Sequence, residues 1–358
     1  DARYGPLLSG EAFTAKAGYL GPGLARALRH IYLPFNENWP VKLADAFRPW
    51  PPPKDYQTLM TWLAELPPIE QCFRGYGVPF GRFSSHLASK GWTKTEYHVY
   101  YNNKYFFRDK GHTGVSLWLL DEPVFPDDFK ALRFFATFLR RFQSSAYADS
   151  AQDCLKFRID ISRPARQRTW LDGLVDLNVL AGQLHSQRRL IERRKREFGE
   201  DYWKYQMPES FGASNRGWCN WAVRSYCWGA TGTLPWQTVA SDGDLLKADK
   251  TALLYPTRRF GLDKPVASMR MKAWREGLQL AELLCQLRTK RAWSDIQLRA
   301  FVAGVCGLSG AEAGRNPNPD DTIVTFAPMD ATGRAALLRA CERELTKPTG
   351  KETLRPKK

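Results

Sequence analysis

The chain has 358 residues, and 53 Lys+Arg against 37 Asp+Glu give it a net charge of +16. Hydrophobic residues make up 43% and charged residues 25%, which is ordinary globular usage and excludes wholesale disorder. The longest predominantly apolar run, 134–139, is far shorter than the roughly 18 residues of a membrane span. The length indicates two domains, or one barrel with an appendage.

Alternating strands and helices predict an α/β fold with a parallel sheet. In chain order, strands are predicted at 29–33, 97–101, 115–120, 155–161, 175–179 and 202–206. Helices are predicted at 56–66, after Pro126, at 183–198, from the N-cap Ser268 onward, at 294–306 and at 330–344. In a parallel barrel, functional groups gather at the carboxyl ends of the strands, so those positions are the ones to inspect.

Cysteine and histidine usage predicts neither a disulfide framework nor a metal site. The seven cysteines are scattered without a CxxC pair, and no two of the five histidines have ligand spacing. The glycine-containing stretches lack the strand-loop-helix context of a phosphate cradle. We therefore expect no metal and no cofactor.

The excess of positive charge is concentrated in two places, 188–196 and the tail 347–358. The first has the interleaved acids of a solvated helix face, and the second is typical of a frayed end. Neither forms a groove, so we do not expect a nucleic-acid partner. Whether the excess positive charge serves to bind an anionic partner stays open.

Two adjacent acids, Asp121 and Glu122, follow the apolar end of the third predicted strand. Consecutive carboxylates there repel each other and lose hydration, and Pro123 is expected to hold Glu122 in an extended conformation. Glycoside hydrolysis needs one acid to protonate the leaving oxygen and a second group to stabilise positive charge on the sugar. Adjacent residues cannot flank a sugar ring from both faces, which favours a mechanism in which a 2-acetamido group of the substrate is the nucleophile. The alternative is a loop cap and a solvated glutamate.

Five stretches resemble glycoside hydrolase family 123 and the wider set of proteins with the domain of unknown function 4091. They are Leu119–Pro123, Tyr4–Leu8 with Ala12-Phe13, Tyr32–Pro40, Asn102–Tyr105, and Leu254–Pro256 leading to Ser268–Gly277. The resemblance implies a (β/α)8 TIM-barrel-like catalytic domain at 1–290. We expect this domain to be incomplete at its N-terminus, where the first barrel strands and any β-sandwich would be missing. C-terminal helices at 291–346 and a basic disordered tail at 347–358 would follow.

The same resemblance implies a retaining β-N-acetylgalactosaminidase-like enzyme that acts on glycans. Asp121 would hold the acetamido group and Glu122 would be the acid/base. A secreted or periplasmic location is implied, although this chain shows no signal peptide. Two alternatives stay open: a non-catalytic carbohydrate-binding protein, and a hydrolase of anionic, sulfated glycans.

Seven further residues are candidates for substrate binding: Asn102, Asn103, Arg158, Trp203, Tyr205, Trp228 and Trp236. The two asparagines fit either a turn or ligands for sugar hydroxyls. The aromatic residues fit either a sugar platform or core packing. Arg158 shares a strand face with Asp160 and is expected either to bind substrate or to pair with that acid.

Overall fold

The computed structural model describes residues 30–32, 89, 96–100, 120, 122–143, 155–181, 187–206, 216–235, 238, 252–255, 261–262, 266–307 and 329–348. The chain divides into two compact units. The first unit comprises Asp1–Gly182 with Arg189–Asp201, and the second comprises Gln183–Arg188 with Tyr202–Lys358.

Among its described residues, the first unit has four parallel strands that lie side by side in chain order. The strands are β1 (His30–Tyr32), β2 (Glu96–Tyr100), β3 (Leu155–Ile161) and β4 (Leu177–Leu180). Two α-helices, α1 (Pro126–Gln143) and α2 (Arg188–Phe198), and a short 3-10 helix (Pro164–Gln167) accompany them. Parallel strands need crossover connections, which here carry helix α1 between β2 and β3.

Strand β3 shows why this sequence forms a buried sheet. Phe157, Ile159 and Ile161 alternate along one face and are each at most 1% exposed. Arg158 and Asp160 lie on the opposite face, as the two-residue period of a strand requires. Tyr100 of β2 is the register partner of Arg158, so these two side chains lie on the same face.

The described part of the second unit has a parallel pair of strands, a short antiparallel pair and four helices. The strands are β5 (Asp201–Gln206), β6 (Gly232–Pro235), β7 (Leu254–Tyr255) and β8 (Val266–Ala267). The helices are α3 (Arg216–Cys227), α4 (Met269–Arg291), α5 (Asp295–Cys306) and α6 (Ala331–Thr346). Helix α3 connects β5 to β6.

The helices of the second unit share one apolar core. Val223 of α3, Leu284 of α4, Val302 of α5 and Leu337 of α6 are all fully buried in it. Helices α3 and α4 approach closely at Gly277, where a Cβ atom would lie 2.4 Å from the backbone oxygen of Cys219. Glycine is therefore required at this crossing, because no side-chain adjustment relieves a clash with backbone.

Three predicted helix starts are confirmed by their caps, whereas the helix predicted from residue 183 begins at Arg188. The Ser268 hydroxyl accepts a hydrogen bond from the Met271 amide, and the Asp330 carboxylate accepts one from Gly333. Ser294 and Gln297 form a capping box at the start of α5. Each cap satisfies amide groups that have no partner within the helix.

The α/β class with parallel strands is confirmed, whereas closure into a complete barrel and the domain boundaries at 290 and 346 stay predictions. The predicted helix 56–66, the strand 115–119 and most of the tail lie outside the described residues. Among the helices that the structure describes, none is both long and apolar enough to cross a membrane.

The described cysteines are free thiols, and three of them (Cys219, Cys227 and Cys341) are buried. Burial raises the pKa of Cys219 and Cys227 to about 12 and that of Cys341 to about 11. A thiol with so high a pKa carries little thiolate and is chemically inert. The interpretation of these three cysteines as small core residues agrees with their burial.

Candidate active site

The segment around the acid pair is partly described: Leu120 and Glu122 lie within the described residues and Asp121 lies outside them. Leu120 is 1% exposed, Pro123 is buried and Glu122 is half-buried. The segment is therefore anchored by apolar side chains on both sides of Glu122.

The backbone on both sides of Asp121 is left-handed. The φ angle is 61° at Leu120 and 49° at Glu122. Our expectation that Pro123 would hold Glu122 extended is therefore wrong. Left-handed φ costs a non-glycine residue roughly 1–2 kcal/mol because Cβ approaches the carbonyl oxygen, and such strain clusters at functional sites.

Hydrogen bonds fix the chain immediately after Glu122 to α1 and to the 3-10 helix. The Asp128 carboxylate accepts from the amides of Val124 (3.0 Å) and Phe125 (2.9 Å). Arg166 donates through Nη1 to the Val124 carbonyl oxygen at 3.1 Å. Asp128 is fully buried, so its two bonds hold the turn firmly.

Arg158 and Asp160 form a bidentate ion pair near the carboxyl end of β3. Nε and Nη2 of Arg158 each donate to an oxygen of Asp160 at 2.7 Å. The Arg158 guanidinium carbon lies 5.0 Å from the ring centroid of Tyr100. The structure thus confirms the pairing that the shared strand face indicated, and it adds Tyr100, which sequence reasoning missed.

His98 extends this polar face toward the start of β2 and was also missed. Its side chain is 2% exposed, and Nε2 lies 3.7 Å from a carboxylate oxygen of Glu96. The alternation of Glu96, His98 and Tyr100 along a predicted strand was the available signal, because polar groups repeated on one face of a strand are unusual in a core.

In the second unit, Trp203 and Tyr205 lie half-buried on one face of β5. Gly232 is the register partner of Trp203, and a Cβ atom at Gly232 would lie 2.6–2.8 Å from three atoms of the indole ring, so the ring packs directly against β6 at this glycine. Trp228, half-buried, follows the end of α3.

The predicted binding residues divide between the two units. Glu122 and Arg158 belong to the first unit, and Trp203, Tyr205 and Trp228 belong to the second. Asn102, Asn103 and Trp236 lie outside the described residues. Their assignment to substrate binding stays a prediction.

Three other tryptophans form a packed cluster in the second unit. Trp218 meets Trp221 edge-on with ring centroids 5.9 Å apart, and Trp221 stacks with Trp274 at 6.3 Å. The Trp274 indole donates to the Thr233 hydroxyl at 3.1 Å. Trp218 is 1% exposed and Trp221 is 6% exposed, so this pair is core rather than platform.

Lys204 of β5 is a buried cation. It is 2% exposed, and its ammonium nitrogen makes no hydrogen bond. Burial lowers the pKa of Lys204 from 10.5 to about 8, because the charged form loses hydration without gaining an acceptor.

Replacing Lys204 by methionine is expected to stabilise the fold at pH 7. The unfolded chain holds the Lys204 proton more tightly than the folded chain, so the wild-type stability rises as pH increases from about 8 to 10.5. The gain from Lys204→Met should reach at most about 3 kcal/mol below pH 8 and shrink toward zero near pH 10.5. Urea denaturation at several pH values measures this difference.

Lys195→Met is the matched control, because Lys195 is exposed. Its effect on stability should be small and independent of pH over the same interval. If the difference in stability between Lys204→Met and the wild type did not change with pH, the lowered pKa of Lys204 would be contradicted.

Among the described residues, no three His, Cys, Asp or Glu side chains group as a metal site would require.

The chain is similar to a solved structure of a known protein. No family model and no curated protein matches this chain. A solved structure of a family 123 glycoside hydrolase from Clostridium perfringens matches with 14% identity and a TM-score of 0.42. That family is the one the sequence motifs resemble. The match covers 76% of this chain and 44% of that chain, so this chain spans less than half the length of that protein.

Proposed function

We propose that the protein is a retaining glycoside hydrolase that cleaves β-linked 2-acetamido sugars from glycans by substrate-assisted catalysis. The observation that carries the proposal is the acid pair Asp121–Glu122, because Glu122 and Leu120, the two residues that flank Asp121, have left-handed backbone. Left-handed backbone is unfavourable for residues other than glycine, and folds retain it mainly at functional sites, where it orients reacting groups. The proposal includes a barrel formed by residues 1–290, with the acids at its carboxyl face.

In this mechanism the substrate supplies its own nucleophile. Asp121 holds the 2-acetamido group so that its carbonyl oxygen attacks the anomeric carbon, and the bond from that carbon to the leaving oxygen breaks. Glu122 donates its proton to the leaving oxygen. Glu122 then removes a proton from water, which attacks the anomeric carbon and reopens the oxazolinium ring. Two displacements at one carbon return the original configuration.

The half-buried position of Glu122 supports its role as the acid. A general acid must be held by the fold and still be open to the substrate, and a half-buried side chain between the buried Leu120 and Pro123 meets both conditions. The hydrogen bonds that Asp128 and Arg166 make to the following residues support a fixed presentation of this acid.

The contacts of Arg158 at the end of β3 favour a neutral sugar over a sulfated sugar as the substrate. Arg158 is engaged by both oxygens of Asp160, so its charge is already balanced within the chain. The net charge of +16 belongs to the whole sequence and does not identify a site.

The test compares two matched nitrophenyl β-glycosides that differ only at carbon 2. The wild-type protein should hydrolyse the 2-acetamido sugar and leave the 2-hydroxy sugar essentially uncleaved, because only the first carries the internal nucleophile. Equal rates on both substrates would reject the substrate-assisted mechanism. Absence of cleavage of either would reject the hydrolase.

A further inference from the structure

Three exposed arginines lie close together in residues 163–168, the arginine loop, which follows the carboxyl end of β3. They are Arg163, Arg166 and Arg168. Arg163 immediately precedes the 3-10 helix and Arg166 lies within it, and the Arg166 amide donates to the Arg163 carbonyl oxygen at 2.9 Å. Residues three apart in a 3-10 helix lie on the same side of it, so these two cations are neighbours.

The charge of the arginine loop is not balanced by the acids of the same connection. Asp172 and Asp176, which follow the loop on the way to β4, are each engaged by another arginine of the first unit. Within the part of the chain that the structure describes, no carboxylate pairs with Arg163 or Arg168. A guanidinium presents its donors in a planar fork that fits the paired oxygens of a carboxylate or of an oxyanion such as sulfate. The loop therefore offers donors to an anionic ligand.

Buried hydrogen bonds hold the arginine loop from inside the unit. Gln167, which lies between two of the arginines, is 1% exposed and donates to Asn178 at 2.9 Å. Arg194 donates through Nη1 to the carbonyl oxygen of Arg168 at 3.3 Å. Because these bonds fix the backbone, the exposed side chains start from a held position, which lowers the entropy cost of binding a ligand.

The arginine loop also contacts the segment that carries the candidate acid. Arg166 donates to the Val124 carbonyl oxygen at 3.1 Å, and Val124 lies two residues after Glu122. In the proposed reaction Glu122 protonates the leaving oxygen, so the leaving sugar lies beside Glu122. The leaving sugar is therefore the part of the glycan that this loop is placed to meet.

We infer that the arginine loop binds a carboxylate or sulfate group carried by the leaving sugar. The inference rests on the proposed function for the position of the glycan. The substrate is then an acidic glycan whose cleaved 2-acetamido sugar is neutral, as the balanced charge of Arg158 indicates. Complementary charge at the loop favours acidic over neutral glycans and speeds their association.

Three matched disaccharides test this inference. Each has N-acetylgalactosamine β-linked to a second sugar, which is glucose, glucuronic acid or glucose 6-sulfate, so the probes differ only at carbon 6 of that sugar. At low salt the wild type should bind one of the acidic probes about 5-fold more tightly than the glucose probe, the upper range for an exposed ion pair. The tighter of the two acidic probes identifies the group as carboxylate or sulfate. The preference should disappear at roughly 0.5 M salt, because ions screen exposed charges.

The decisive variant is Arg163→Gln with Arg168→Gln, which removes two exposed charges and keeps long polar side chains. It should bind the acidic and the neutral probes with equal affinity. Lys195→Gln with Arg196→Gln is the matched control, because it removes the same charge from exposed positions of α2 and should keep the preference. Arg163→Glu replaces the double variant if that variant does not fold, and it should bind the acidic probes more weakly than the neutral one.

Calorimetric binding and hydrolysis, measured on the same proteins, separate the two claims. If the wild type hydrolyses the probes but binds all three equally, or if the double variant keeps the preference, the role of the loop is overturned and the hydrolase stands. If the wild type prefers an acidic probe without hydrolysing any and the double variant loses that preference, the hydrolase is overturned and the acid-binding role stands.

Two further outcomes concern the identity of the ligand. A thymidine dinucleotide carries a single phosphate charge, as each acidic probe carries a single negative charge. If it bound more tightly than either acidic probe and the double variant lost this binding, the loop would be a nucleic-acid contact and its role toward sugars would be overturned. If the wild type neither binds nor hydrolyses any disaccharide, both claims are overturned.

Discussion

Replacing Glu122 by glutamine is expected to lower kcat by about 10²- to 10⁴-fold on a 2-acetamido glycoside with a poor leaving group, the range typical of lost general acid–base catalysis. An alkyl alcohol departs only when its oxygen is protonated, and glutamine cannot supply that proton. On a dinitrophenyl glycoside, whose leaving group departs without protonation, the first step should be affected much less.

The companion variant Asp121→Asn should behave differently. It removes the charge that stabilises the acetamido group as it becomes positive, so kcat should fall for good and poor leaving groups alike. Glu197→Gln, a change at an exposed acid of α2, serves as the control and should retain full activity. A Glu122→Gln variant with unchanged kcat on an alkyl glycoside would remove Glu122 from the mechanism.

Replacing Arg194 by methionine is expected to destabilise the first unit by about 3–5 kcal/mol, the cost of leaving a buried charge without its partner. Arg194 is 2% exposed and bonds through Nε (2.8 Å) and Nη2 (2.5 Å) to Glu200, which is fully buried. Its Nη1 donates to Asp172 at 2.5 Å. Burial by itself lowers the pKa of Arg194, but the bonds and charges of Glu200 and Asp172 raise it above its ordinary value.

The same network ties helix α2 to strand β4. Asn178 donates to Glu200 at 2.7 Å, and Gln167 donates to Asn178 at 2.9 Å. The loss of Arg194 would therefore weaken the support of the strand that neighbours β3, the strand carrying Arg158 and Asp160. Chemical denaturation monitored by tryptophan fluorescence measures the effect.

Arg193→Met is the matched control one residue away. Arg193 has a side chain 42% exposed and an ion pair with Glu197 of 3.6 Å, and such surface pairs contribute about 0–1 kcal/mol. If Arg194→Met cost no more than Arg193→Met, the buried network would not support this unit as described.

Sequence patterns predicted correctly those strands and helices that are determined by residues close together in the chain. The strict alternation of Leu155–Ile161 predicted both ends of that strand correctly. A two-residue period can be recognised without knowledge of distant partners. The helix beginning at Ser268 was predicted from its cap for the same reason. The pairing of Arg158 with Asp160 follows from positions two apart on one strand.

Features that depend on distant residues were missed. Helix α3 has buried residues on all sides, from Trp218 to Cys227, and these include the polar Asn220 and Ser225, so its burial depends on packing partners and not on one apolar face. The partnership of Arg194 with Glu200 and Asp172 joins segments that only the fold brings together. The turn at Glu122 was missed because a preference for extended backbone before proline is a bias that tertiary packing can override.

The configuration of the first sugar released is the most direct test of the proposed chemistry. Proton NMR in the first minutes of hydrolysis of a β-linked 2-acetamido glycoside distinguishes the two anomers before they equilibrate. We predict that the β-anomer appears first, since two displacements at the anomeric carbon restore its configuration. Initial release of the α-anomer, or no release of sugar, would contradict catalysis by Asp121 and Glu122 as proposed.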